Sequence, residues 1–154
     1  MRGLLLIAAA SAVFASVAIA EEEDPFADAV EQRHGLMLQM ATDLGKVGAM
    51  AKEEAPYDAA VAGKAAANIA AIASVLSMDQ FPAGSEYQKS ADSFALPALW
   101  EKQDDFLQKI ADLNTAAAAF QTAAGTDLAS LQAGMAGIGG ACAACHKAYR
   151  QPEE

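Results

Sequence analysis

Residues 127–150 read DLASLQAGMAGIGGACAACHKAYR, a run of small and apolar residues with no proline and no β-branched cluster. Such a segment favours a helix. Near its end, Cys142-Ala143-Ala144-Cys145-His146 holds the only two cysteines of the chain. C-x-x-C-H is the attachment signature of c-type haem. Each thiol adds to a vinyl group of the porphyrin, and the adjacent imidazole becomes an axial iron ligand. On a helix, positions 142, 145 and 146 are i, i+3 and i+4, so their side chains leave one face. A planar macrocycle can lie against that face with its iron over His146. The motif therefore predicts one covalently attached haem c per chain, with Cys142 and Cys145 as its anchors.

Other uses of these five residues fit less well. A thioredoxin-like C-x-x-C needs a βαβ setting, and the flanking sequence offers no strands. A zinc site takes about four ligands, and His34 is the one nitrogen donor of that kind outside the motif. A disulfide between Cys142 and Cys145 would strain an intact helix. Gly134, Gly137, Gly139 and Gly140 precede the motif, although each glycine costs about 1 kcal/mol against alanine inside a helix. Two readings stay open: close approach of a bulky group such as haem, or close helix–helix packing.

Upstream, apolar residues recur at helical spacing. A first helix is expected over roughly 25–52, with Val30, Met37, Met40, Ala41, Leu44, Val47 and Ala51 in its stripe. Glu53-Glu54-Ala55-Pro56 ends it, since the residue before proline is pushed from the α region. A second helix over 57–76 turns Val61, Ala65, Ile69, Ile72 and Leu76 inward. Residues 78–97 form one long connection containing Pro82, Gly84, Ser85, Ser90, Ser93 and Pro97. A third helix over 98–124 carries Trp100, Phe106, Ile110, Leu113, Ala117 and Phe120. Gly125-Thr126-Asp127 supplies a stop and a cap, with Thr126 as the expected N-cap. The pattern predicts an all-α, antiparallel four-helix bundle with one longer crossover.

Residues 1–20 read as a secretory signal. Arg2 is the short positive region, an apolar run follows, and Ala18-Ile19-Ala20 is an A-x-A-like exit into Glu21-Glu22-Glu23-Asp24. The expected mature domain is 21–154, exported to the periplasm and without stable membrane association once the signal is cleaved. The whole chain has a formal net charge of −10, and losing the signal removes one arginine, leaving −11. No basic patch exists to neutralise phosphates, so nucleic-acid binding is excluded. A redox partner should meet this protein with a basic or apolar surface. No Ser/His/Asp set, nucleotide loop or paired-carboxylate constellation stands out, so an enzyme is disfavoured. Glu53-Glu54 and Asp104-Asp105 read as solvated charge.

Over roughly residues 25 to 150 the chain resembles the class II c-type cytochromes, the cytochrome c′ group. The likeness rests on Cys142-Ala143-Ala144-Cys145-His146-Lys147-Ala148-Tyr149-Arg150, with Pro56-Tyr57-Asp58 and Arg33 in support. The resemblance implies His146 as proximal ligand, Arg150 near the proximal face, and Arg33 close to a haem propionate. It also implies a possible homodimer, because relatives often pair through their first two helices.

The group divides at the sixth iron position. Cytochromes c′ proper have an apolar residue there and bind small gases such as nitric oxide and carbon monoxide. A low-spin branch has methionine and carries electrons. Leu36-Met37, four residues on from Arg33, resembles the low-spin branch and makes Met37 the candidate distal ligand. Read from periodicity alone, Met37 is a flexible core filler beside Met40. Met40 is the reserve ligand, and His34 is expected at the surface or the propionate edge. Two functions follow: a periplasmic electron carrier with redox partner proteins, or a gas-binding module for detoxification or sensing.

Overall fold

The computed structural model describes residues 23–152. The expected signal segment, 1–20, lies outside the described residues. Helices α1 (Ala27–Ala51), α2 (Ala59–Val75), α4 (Gln103–Ala124) and α5 (Leu128–Tyr149) are long, and α3 (Ala98–Glu101) is a single turn. The four long helices form the bundle. α4 packs most extensively on α5 and on α2, α1 packs on α2, and α1 meets α5 least.

Each boundary has a local cause. Asp58 caps α2, its carboxylate accepting from the backbone N–H of Ala60 and Val61 at 2.9 and 3.0 Å. Such a cap contributes about 1 kcal/mol. Tyr57 donates its hydroxyl to the Ala124 carbonyl at 3.0 Å, satisfying one of the orphan acceptors at the end of α4. Pro56-Tyr57-Asp58 thus joins the start of α2 to the end of α4. Gly125 has an ordinary negative φ, so its role is close approach: a Cβ there would meet the Gly63 Cα at 3.5 Å.

The expected N-cap Thr126 is corrected. Asp127 caps α5 through a 2.7 Å bond from the Ser130 N–H, while Thr126 donates back to the Thr122 carbonyl at 3.2 Å. The single helix expected over 98–124 is broken at Lys102, whose φ and ψ of −124° and 45° are not helical. The break leaves Leu99 and Phe106 together in a second apolar cluster with Ala95 and Tyr149. Ala41 and Val61, expected inside, are exposed, whereas Arg33 and Asp43 on α1 are buried.

The main core runs between the helices through Met40, Val47, Ile69, Leu113, Phe120, Leu131 and Ile138. Fully burying a side chain such as Leu, Ile or Phe contributes about 1.5–3 kcal/mol. Alanine fills much of α2, so its neighbours approach closely. The crossover between α2 and α4 starts with a capped 3-10 turn at Met78–Gln80 and ends paired to the C-terminus, Ala95 bridging Arg150 antiparallel.

Candidate haem site

The C-x-x-C-H residues occupy the last two turns of α5, as the spacing predicts. Both thiols are free and half-buried, and no disulfide joins them. Cys142 packs at the edge of the main core, Cys145 against the Phe106–Tyr149 cluster. Burial pushes the Cys142 thiol up, and burial with the neighbouring Cys142 takes Cys145 to about 11. A redox-active C-x-x-C does the opposite and lowers its thiol. These thiols are protonated nucleophiles-in-waiting rather than thiolates. Desolvation and the positive charge of Arg150 hold His146 below its ordinary value, favouring the neutral imidazole that binds iron.

The surroundings fit a porphyrin. Of the 22 residues of α5, only Leu131, Ile138 and Tyr149 are fully buried. α5 is the one helix among the described residues that is apolar and long enough to cross a membrane by composition. Much of its small-residue surface is thus uncovered by polypeptide. A Cβ added at Gly137, Gly139 or Gly140 would find no atom within 4 Å. Gly134 differs, because its Cβ would strike Phe120. The glycines therefore divide: Gly134 serves helix packing, Gly139 leaves α5 on the same side as His146, and Gly137 and Gly140 leave it on the far side, away from the motif. A porphyrin plate held by the two thiols and His146 would lie on the Gly139 side of the helix.

The other candidate residues fall as follows. Met37 on α1 is half-buried and packs against the same core cluster as Cys142. Met40 is enclosed within that core. His34 is exposed, its ring 6.2 Å from that of Phe94. Arg150 follows the last turn of α5, its backbone N–H bonded to the His146 carbonyl at 3.0 Å. Arg33 is buried, and its guanidinium donates to oxygens of Gln80, Ser85 and Ser93 in the crossover. Among the described residues no group of three His, Cys, Asp or Glu side chains gathers as an alternative metal site.

One partnership went unread in the sequence. Tyr149 donates its hydroxyl to the Asp105 carboxylate, and its ring meets Phe106 edge-on at 5.4 Å. Asp105 is therefore not merely solvated charge. The aromatic three residues after a haem-motif histidine was visible, but nothing in the pattern named its partner on α4.

A four-helix bundle that presents C-x-x-C-H in the final turns of its last helix is a mono-haem c-type cytochrome. The family model described as Cytochrome C' matches residues 28–150. Cytochrome c-554 of Cereibacter sphaeroides is 53% identical over 153 residues, spanning 99% of this chain and 100% of the relative. The solved cytochrome c′ of Rhodopseudomonas palustris superposes with a TM-score of 0.75 at 36% identity, over 82% of this chain and 98% of that one. A nitric oxide complex of a cytochrome c′ variant from Alcaligenes xylosoxidans gives 0.72 at 30% identity, over 82% and 97%. The chain belongs to the cytochrome c′ family, whose members bind one covalently attached haem c.

Proposed function

We propose that this protein is a periplasmic electron carrier whose iron is held by His146 and Met37. Haem c supplies a one-electron ferric/ferrous couple. The chain's own residues do the rest: Cys142 and Cys145 anchor the group, His146 ligates from α5, and Met37 ligates from α1. The carrying observation is the placement of Met37, half-buried beside the core cluster that also takes Cys142, on a helix separate from α5. Its soft thioether favours ferrous iron and raises the potential. A filled sixth position lets the protein pass electrons without binding a substrate, so we read it as a carrier rather than an enzyme.

The proposal includes export, with residues 1–20 removed, and a partner with a basic or apolar contact surface, suited to the net charge. Exposed Leu38 on α1 and Val61 and Val75 on α2 support pairing through those helices. The intact mass of secreted protein should equal residues 21–154 plus haem.

The nitric oxide complex of a structural neighbour supports a second reading, an open sixth position that binds gases. One experiment separates the two. A carrier should be low-spin when ferric, with a weak long-wavelength sulfur-to-iron charge-transfer band, and its ferrous form should take up carbon monoxide slowly. A high-spin ferric spectrum with rapid carbon monoxide binding would instead make it a gas binder.

A further inference from the structure

Arg33 is only 4% exposed, yet no carboxylate among the described residues forms an ion pair with it. A buried charge is costly unless its donors are used. Here they are. Nη1 donates to the Gln80 carbonyl at 3.2 Å and to Ser85 Oγ at 2.9 Å. Nη2 donates to the Ser85 carbonyl at 2.9 Å and to Ser93 Oγ at 2.6 Å. The Phe81 ring lies 5.2 Å from Cζ. Both terminal nitrogens of the guanidinium are thus spent on one segment, the crossover.

That crossover grips α5 just beyond the haem motif. Ser93 donates to the Ser85 carbonyl at 2.6 Å and accepts from the Ala95 N–H at 3.4 Å. Phe94 then accepts from the Gln151 N–H at 2.7 Å, and the Leu96 N–H donates to the Tyr149 carbonyl at 2.9 Å. Three consecutive residues, Ser93 to Ala95, therefore lead from Arg33 to Arg150. Arg33 stands one turn before Met37, and Arg150 stands one turn after His146. At the other end α1 and α5 are tied directly: Gln132 donates to the Ala51 carbonyl at 2.9 Å, and Met135 Cε sits near Gly48.

We propose that Arg33 is a positioning residue: by holding Ser85 and Ser93 it straps α1 to the end of α5 and sets the span between Met37 and His146. This rests on the reading of Met37 as distal ligand. A loosened strap lets α1 drift, so the thioether leaves the iron more readily. Lysine retains the charge but not the planar fork, and cannot reach the same set of oxygens.

The test uses haem-loaded protein and reads both carbon monoxide association and thermal midpoint. Arg33→Lys and Ser93→Ala should each speed association roughly tenfold, the rate equivalent of about one lost hydrogen bond, and weaken the charge-transfer band. Gln132→Ala, which cuts a tie at the opposite end, should lower the midpoint and leave the association rate unchanged. Should Arg33→Lys not fold, Ser93→Ala and Ser85→Ala carry the measurement. Lower midpoints with wild-type association and an intact band would reduce Arg33 to a structural anchor and overturn the proposal. Full rescue by lysine where Arg33→Met is fast would assign the effect to charge and overturn it as well. A wild-type protein with no band, indifferent to Met37→Ala, would show instead that the ligand reading had failed.

Discussion

Gly134 lies so close to Phe120 that a Cβ at that position would meet the ring Cδ2 at 2.9 Å. Phe120 is buried in the main core, and its ring cannot swing aside without disturbing its neighbours. Gly134→Ala gains about 1 kcal/mol of helix propensity but loses about 1–3 kcal/mol through overpacking. A lower thermal midpoint is expected. Gly139→Ala meets nothing and should raise the midpoint of the haem-free chain. Equal effects at the two positions would contradict this division of the glycines.

Tyr149 and Asp105 give the protein an alkaline limit. Burial and the Asp105 carboxylate push the Tyr149 hydroxyl up to about 12 from its ordinary 10.0. A raised folded value contributes stability that is full below 10.0 and lost as pH climbs towards 12. Unfolding followed across that interval should show declining stability in the wild type. Tyr149→Phe should be less stable at neutral pH and lack the decline. A matching alkaline slope in both proteins would remove Tyr149 as its cause.

The bundle was legible because helix periodicity and alanine content are local properties, and they place both ends of α1, α2 and α5, and the C-terminal end of α4, within about two residues. The motif was legible because Cys142, Cys145 and His146 need only one helix to converge. What escaped was tertiary. Arg33 reads as surface charge or, by resemblance, as a residue close to a haem propionate, and its hydrogen bonds to the crossover show only when that segment folds over it. Ser85 and Ser93 carry no periodicity, so their part in gripping the arginine shows only when the loop closes. Lys102 breaks its helix although no proline or glycine marks the spot. Thr126 and Asp127 are both competent caps, and the turn after Gly125 chose the second.

Asp43 supplies the acid limit. It is 1% exposed and accepts from Gln39 and Lys46 at 2.9 Å and from Asn68 on α2 at 3.1 Å. Burial pushes its carboxyl up, but these three bonds and the Lys46 charge outweigh burial and leave it below its ordinary 3.8. A depressed folded value gives stability that is present above 3.8 and lost as pH falls through the lower value. Asp43→Ala leaves the Gln39 and Asn68 donors without their acceptor, at a cost of about 1–3 kcal/mol near neutrality. Asp43→Asn keeps one acceptor oxygen and should lose less, while flattening the acid slope. Thermal unfolding of the three proteins from neutral to below 3.8 checks both effects.

Met37 and Met40 lie three residues apart on α1, and the structure gives them opposite surroundings. Met40 is sealed in the main core, so Met40→Ala should cost about 2–5 kcal/mol through the cavity it leaves. Its spectrum should stay that of the wild type. Met37 sits half-buried at the edge of that core, and its truncation removes far less packing. Met37→Ala should nevertheless abolish the sulfur-to-iron band, lower the potential and admit carbon monoxide quickly. The two variants thus separate stability from ligation, with each methionine moving one readout and sparing the other. If Met37→Ala changes neither spectrum nor potential, the thioether is core filling after all, the sixth position is open, and gas binding becomes the function to pursue.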